Sequence, residues 1–238
     1  MRYLRFIVPL LVVLGLAFCP LASKSAGSTL DSLKAVIRNH PQDTTKAMAL
    51  CELAFQLNNS GGEDPRPYLK EALQISIDKE FKKGQGFAWV QYGVYFQRHG
   101  AYDESEIAFT KGLEIRKEIG YLPDIASVYN NLATLKRKQG DYASALINYH
   151  YALLQYESLG DSNDVAKVCN QLCIVYRMVG NFKQSLDNGF RSLRIREGQP
   201  QPDSSEIGKT LMSIGNTFEY KGENERADST YKIAKKVF

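Results

Sequence analysis

Few residues in this chain have the types and spacing for covalent or metal chemistry. His40, His99 and His150 lie far apart, and no pair has the short separation by which one helix or turn offers ligands to a metal. Each reads as a surface or half-buried histidine. Cys169 and Cys173 are four residues apart, one helical turn, a separation that rarely meets disulfide geometry and is not C-x-x-C. With the distant Cys51 they read as small apolar packing residues rather than a disulfide framework. Gly84-Gln85-Gly86 has no phosphate-loop or dinucleotide fingerprint around it and reads as a loop before a helix. No serine-nucleophile motif occurs. The sequence therefore predicts no enzyme, no metal and no cofactor. Recurring amides and cations remain. Asn and Gln can hydrogen-bond an extended peptide backbone, and Lys and Arg can meet carboxylates.

Those side chains need a scaffold that repeats, and the chain supplies one. In Ala126 to Gln155, Tyr129, Leu132, Ala133 and Leu135 fall at helical spacing. After the turn Gln139-Gly140-Asp141, so do Tyr142, Ala145, Leu146, Tyr149, Ala152 and Leu153. Gly100, Gly140, Gly180 and Gly222 mark four such turns, each flanked by the same order of aromatic and small residues. A fixed period of this size means stacked helical hairpins, each burying its apolar face on its neighbours. In such a stack the first helices line the concave face, and their residues away from the seam are the binding candidates. They are Phe87, Val90, Gln91, Val94 and Arg98 in the second hairpin, and Ser127, Asn130, Asn131, Thr134 and Arg137 in the third. Lys167, Asn170, Gln171, Ile174 and Arg177 follow in the fourth, and Lys209, Met212, Ser213 and Asn216 in the fifth. Such a face predicts a protein or peptide partner.

The repeated order W/Y/L-x2-L-G/A-x2-Y/F, G-x-Y/F-x2-A, F/Y-x2-A resembles the tetratricopeptide repeat. The resemblance implies an all-α, right-handed α-solenoid of helix-turn-helix repeats. About five fit within 44–238, as 44–83, 86–121, 124–160, 162–198 and 205–238, behind an N-terminal capping helix over 29–40. The period of about 40 exceeds the family's usual 34 and predicts second helices longer by about a turn and a half. Some relatives clamp a peptide's terminal carboxylate. Of the five clamp positions only Asn131 and Lys167 match; Val90, Val94 and Gln171 occupy the others.

Charge adds a limit. Thirty Lys and Arg against 26 Asp and Glu give +4. Arg2, Arg5 and Lys24 lie in an acid-free N-terminal stretch, and without them the balance falls to +1. No basic cluster with interleaved aromatics appears, so no nucleic-acid partner is predicted. Residues 1–25 read as a signal peptide or N-terminal anchor: a basic start, an apolar run from Phe6 to Phe18, then Pro20 and small residues. The run is short for a membrane span. Leu16-Ala17-Phe18-Cys19 resembles a bacterial lipobox with Cys19 as the lipidated residue, although Phe18 stands where a small residue belongs.

The opening from Leu30 to Phe55 resembles the periplasmic sensor regions of bacterial signalling proteins, where such repeats precede a kinase, cyclase or DNA-binding output. That resemblance implies an exported, periplasmic, non-enzymatic binding module, the sensory part of a longer protein. It would meet the membrane only through its N-terminal segment or a C-terminal region not in this chain. The abrupt end at Lys235-Lys236-Val237-Phe238, with no polar capping helix, fits the same expectation. The alternative is a self-contained periplasmic or lipid-anchored scaffold.

Overall fold

Glycine sets the turns of this chain. Gly100, Gly140, Gly180 and Gly222 hold φ of +75°, +81°, +76° and +84°, a left-handed conformation that costs other residues about 1–2 kcal/mol. At each turn the chain reverses, and the next helix starts two residues later. The opposite junctions use Gly120 and Gly160 in the same way, at +75° and +70°. Asp141, Asp161, Asn181 and Asp203 then cap the following helices, each accepting a backbone N–H three residues on.

The computed structural model describes residues 26–60 and 63–237. The leader expected over 1–25 and the lipidation expected at Cys19 lie outside the described residues. Eleven α-helices and no strands are described: α1 (Ala26–Asn39), α2 (Thr44–Ser60), α3 (Arg66–Asp78), α4 (Lys82–Arg98), α5 (Tyr102–Ile119), α6 (Leu122–Lys138), α7 (Tyr142–Leu159), α8 (Ser162–Met178), α9 (Phe182–Glu197), α10 (Ser204–Tyr220) and α11 (Asn224–Val237). The fold is the all-α repeat solenoid. Five hairpins, α2–α3 to α10–α11, stack in chain order, and α1 packs on α2.

Two local expectations are corrected. The stretch Gly84-Gln85-Gly86 is not a loop but lies in the first turns of α4. Its glycines answer a close approach instead: a Cβ on Gly84 would lie 2.3 Å from Ser76 Oγ and 2.6 Å from the Phe81 ring. The extra length of the repeat is also not confined to second helices. α4, α6, α8 and α10 have 17 residues each, and α5, α7 and α9 have 18, 18 and 16.

In the second, third and fifth hairpins a large side chain on the second helix faces a small residue on the first. A Cβ on Gly93 would meet the Phe109 ring at 2.5 Å, and one on Gly215 would meet Tyr231 at 2.4 Å. Ala133 and Tyr149 share one core cluster at the matching positions. In the fourth hairpin the order inverts. Gly189 on the second helix is now the small residue, and a Cβ there would meet Ile214 of α10 at 2.7 Å and Cys173 Sγ at 3.1 Å. Cys169 and Cys173 are buried, free packing residues, as their spacing predicts. Where a serine follows the turn, it ties the hairpin: Ser105 Oγ donates to Gly93 O at 2.8 Å, and Ser185 Oγ to Cys173 O at 2.7 Å.

Candidate functional site

Each hairpin packs on the next mainly through its second helix, α3 on α4, α5 on α6, α7 on α8 and α9 on α10, and first helices also meet directly at α2–α4, α4–α6 and α8–α10. The free faces of the first helices form the inner wall. On α6 the candidates Ser127, Asn130, Thr134 and Arg137 recur at i, i+3, i+7 and i+10. On α8, Lys167, Asn170, Ile174 and Arg177 do the same. Each set lies on one helical face.

The structure removes three candidates from that wall. Val90 is buried, packed with Phe109 and Leu113, and a Cβ on Gly112 would press on it at 2.7 Å. Gln91 is also buried, its backbone and side-chain oxygens both accepting from Asn58 Nδ2 at 3.1 Å. Direct contact with α2 covers this part of α4. Ser213 is buried too, with Oγ donating to Lys209 O at 3.1 Å. Val94 and Phe87 are half-buried against neighbouring cores.

The other candidates reach the wall with differing freedom. Lys167 and Lys209 are exposed, but their ammonium groups sit 2.7 Å from Asp164 and Glu206, one turn back on the same helices. Met212 is exposed. Asn216 Oδ1 accepts from Tyr231 Oη at 2.7 Å. Gln171 Oε1 accepts from Tyr149 Oη at 3.4 Å, and Thr134 Oγ1 lies 3.0 Å from the same hydroxyl. Asn130, Asn131 and Asn170 are half-buried, with no side-chain hydrogen bond within the described residues.

The cations stand near the C-terminal ends of the first helices. Arg98 Nη2 donates to Asn59 Oδ1 at 3.4 Å. The guanidinium of Arg177 lies 5.1 Å from the centroid of the Tyr220 ring. Lys138 joins this row beside Arg137; burial, then the neighbouring Arg137 and Arg98, hold its ammonium below the ordinary lysine value. Among the described residues, Arg137 Nε, and Arg177 Nε and Nη1, are shut from solvent and meet no acceptor, and Asn170 Oδ1 is shut away and meets no donor.

Four participants were missed by sequence reasoning: Lys138, Tyr149, Tyr220 and Tyr231. Tyr149 and Tyr231 belong to outer helices and read as packing residues, which they are. Each lies opposite a small residue, Ala133 or Gly215, and sends its hydroxyl through the seam to the inner row. A tyrosine facing a glycine or alanine at that register is the signal that could have found them. Burial pushes the Tyr149 phenol above its ordinary value, so at neutral pH it acts as a hydroxyl donor and acceptor. The histidines are scattered as expected: His40 near Asp43, His99 beside Tyr95, and His150 against the Tyr176 hydroxyl at 2.9 Å.

Residues 124–198, the third and fourth hairpins, match the family model described as tetratricopeptide repeat. This stretch, less than half of the chain, is similar to tetratricopeptide repeats, a family of protein–protein interaction modules. A comparison with curated proteins finds no match. Among solved structures, BtubC (BKLC) from P. vanneervenii is similar at a TM-score of 0.74 and 19% identity, over 89% of this chain and 87% of that one. A putative kinesin light chain of Podospora anserina with TPR-like repeats is similar at 0.68 and 11%, over 83% and 97%. A Rap protein complexed with Competence and Sporulation Factor is similar at 0.65 and 14%, over 87% and 69%. At these identities the likeness is one of fold.

Proposed function

We propose that this chain is a non-enzymatic tetratricopeptide-repeat module that captures a protein or peptide along its inner wall. It acts after export, as the sensory region of a longer signalling protein. The observation that carries the binding reading is the row of half-buried amides and arginines on the inner faces of α6 and α8, where Asn130 and Asn131 make no side-chain hydrogen bond and Arg137 and Arg177 no ion pair among the described residues. The fold is compatible: the Rap protein similar in fold is complexed with Competence and Sporulation Factor. The basic, then apolar, then small-residue order of 1–25 supports export, and the resemblance of the opening repeats to sensor regions supports the signalling role.

The test is made in the native host. A photo-crosslinking residue is placed at Asn131 on the inner wall, and a second at Ile147, exposed on the outer helix α7. Partner adducts from Asn131 and not from Ile147 are expected. Adducts from Ile147 alone would move the binding surface to the outer face. Immunoblots of soluble and membrane fractions then separate the roles. A membrane band much larger than 26.8 kDa is expected for a sensor. A soluble band of the processed size would leave a self-contained periplasmic scaffold, and lipid on Cys19 an anchored one.

A further inference from the structure

Helix α7 breaks the pattern of the outer row. The turns at Gly100, Gly140 and Gly180 are 40 residues apart, so equivalent outward positions can be read across the repeats. They are Ile107, Lys111 and Glu114 on α5, Ile147, Tyr151 and Leu154 on α7, and Asp187, Arg191 and Arg194 on α9. Both neighbours are charged there, and α7 is not. Ile147, Tyr151 and Leu154 are 58, 50 and 60% exposed, and their i, i+4, i+7 spacing puts them on one face. The stripe has a fixed shape. Tyr151 stacks on Tyr129 of α6 with ring centroids 5.2 Å apart, and it lines a shallow depression of about 370 Å³ with Leu146, Ile147, His150 and Leu154. From Tyr142 to Leu159 the one Asp, Glu, Lys or Arg is Glu157, which engages Arg191 of α9. His150 Nε2, at the edge of the stripe, lies 2.9 Å from Tyr176 Oη. A contiguous apolar face left in water marks an interaction site.

We propose that α7 is a self-association face, on which a second copy of this chain docks with the two α7 helices side by side and parallel. The inner walls of both copies stay free, so this role is independent of capture along the wall. Charge selects the occupant. A two-fold interface sets each surface against its own image, so an unpaired charge at its centre would meet itself. α7 carries none. The flanks then decide the direction. Leaving out the buried Arg116 and Arg196, α5 carries five acids and two bases, and α9 three bases and two acids. A two-fold axis along α7 turns α5 of one copy towards α9 of the other, acid excess to base excess. An axis across α7 would bring α5 to α5, acid excess to acid excess, which repels. The acidic flank also disfavours an anionic lipid surface, which attracts cations beside an apolar stripe. Area sets the strength. The 18 residues of α7 span about 27 Å, and a contact strip about 10 Å wide covers about 270 Å². A standard interface takes about 800 Å² from each partner. The flanks must therefore share the contact, and the dimer belongs to the weak class, with Kd of about 10–100 μM.

The test is sedimentation equilibrium of the full chain from about 1 to 200 μM, a range that brackets that Kd. A monomer–dimer equilibrium rising towards twice 26.8 kDa is expected. Ile147→Glu and Leu154→Glu should each weaken it at least about tenfold, because each sets two like charges against one another across the axis. Ile233→Glu, at a site 53% exposed on α11, should leave it unchanged. Circular dichroism checks folding; if one Glu variant unfolds, the other still decides. Direction is read in a Cys19→Ser background, where the remaining thiols, Cys51, Cys169 and Cys173, are buried. On oxidation Ile147→Cys and Leu154→Cys should each link to its own counterpart, since parallel helices bring equal positions together. A chain that stays monomeric to the top of the range, or a dimer indifferent to both Glu variants, overturns the proposal. So do links formed only between the Ile147→Cys and Leu154→Cys chains, the antiparallel result. In cells, a photo-crosslinker at Ile147 should join two copies of the chain. Adducts with a different protein, or Ile147-dependent flotation of the monomer with phosphatidylcholine vesicles, would give the stripe another occupant and overturn the pairing. None of these outcomes decides the inner wall, which the crosslinker at Asn131 tests separately.

Discussion

Replacing Gly93 with alanine tests whether the large-against-small register holds the hairpins together. The new Cβ would lie 2.5, 2.6 and 2.9 Å from three ring atoms of Phe109. Carbon atoms in a core prefer about 3.5–4.0 Å, so the overlap is about 1 Å. Phe109 is fully buried and cannot swing into water. α4 and α5 must therefore part, which also strains the 2.8 Å bond from Ser105 Oγ to Gly93 O. Overpacking costs about 1–3 kcal/mol, and an overlap of about 1 Å on a ring that cannot leave the core belongs to the upper part of that range, about 2–3 kcal/mol. Alanine's helix preference returns about 1 kcal/mol, leaving a net loss of about 1–2 kcal/mol. For a chain of this size that lowers the melting temperature by about 2–8 °C. Urea unfolding followed by circular dichroism reads the loss, and hydrogen exchange should place it in α4 and α5, because repeat arrays feel mainly their nearest neighbours. Phe109→Leu removes the obstructing ring edge. In the Gly93→Ala background it should cost at least about 0.5 kcal/mol less than it does alone. A Gly93→Ala protein as stable as the parent, or strict additivity with Phe109→Leu, would refute the reasoning.

Two further outcomes follow from the buried thiols and from one ion-paired carboxylate. Burial pushes the Cys51 thiol up to about 12 and Cys169 to about 11, and raises Cys173 as well. All three should resist iodoacetamide at pH 8 in the native protein and react once unfolded, as read by peptide mass spectrometry. Native labelling of Cys173 faster than global unfolding would show that the α8–α9 seam opens by itself. Glu206 lies 2.7 Å from both Lys209 and Arg196, and Lys209, then Arg196, hold its carboxyl below the ordinary glutamate value. A depressed folded value stabilises above the unfolded value, near 4.3, and the benefit fades as pH falls through the folded one. The stability gap between parent and Glu206→Gln should therefore be widest at pH 6–7 and shrink below about pH 4. A gap constant from pH 3 to 7 would remove this role from Glu206.

The architecture was legible because it is written in positions that tolerate few residue types. A turn needing positive φ takes glycine, so Gly100, Gly140, Gly180 and Gly222 announce the hairpins, and the φ values agree. The first junction hides because it uses Glu80 at φ +52° instead. Without a turn glycine there, Gly84 and Gly86 looked like loop residues, although Gly84 serves the close approach of α3 to α4 and Gly86 faces Ile115 and Arg116 of α5. Helical periodicity groups Asn130 with Arg137 on one face of α6 and Asn170 with Arg177 on one face of α8. It failed on α4 for Val90 and Gln91, since burial there depends on Asn58 arriving from α2 and on the missing side chain at Gly112. Both are tertiary facts that no window of neighbouring residues contains.

The charge of the wall was hidden by a different averaging. Counted over the whole chain the acids nearly cancel the bases, which conceals where either gathers. The structure distributes them unevenly. Glu106 of α5 engages Lys136 of α6, and Glu157 of α7 engages Arg191 of α9. Asp164 and Glu206 sit in the first turns of α8 and α10, where acids favour the positive end of a helix. Cations favour the last turns for the same reason, and Arg98, Arg137, Lys138 and Arg177 lie there. With first helices stacked side by side in one direction, their ends align, and each local preference adds to its neighbours'. The basic row is therefore a property of the stacking, produced by helix ends that would be unexceptional alone. Any partner that reads it must contact at least two adjacent repeats at once.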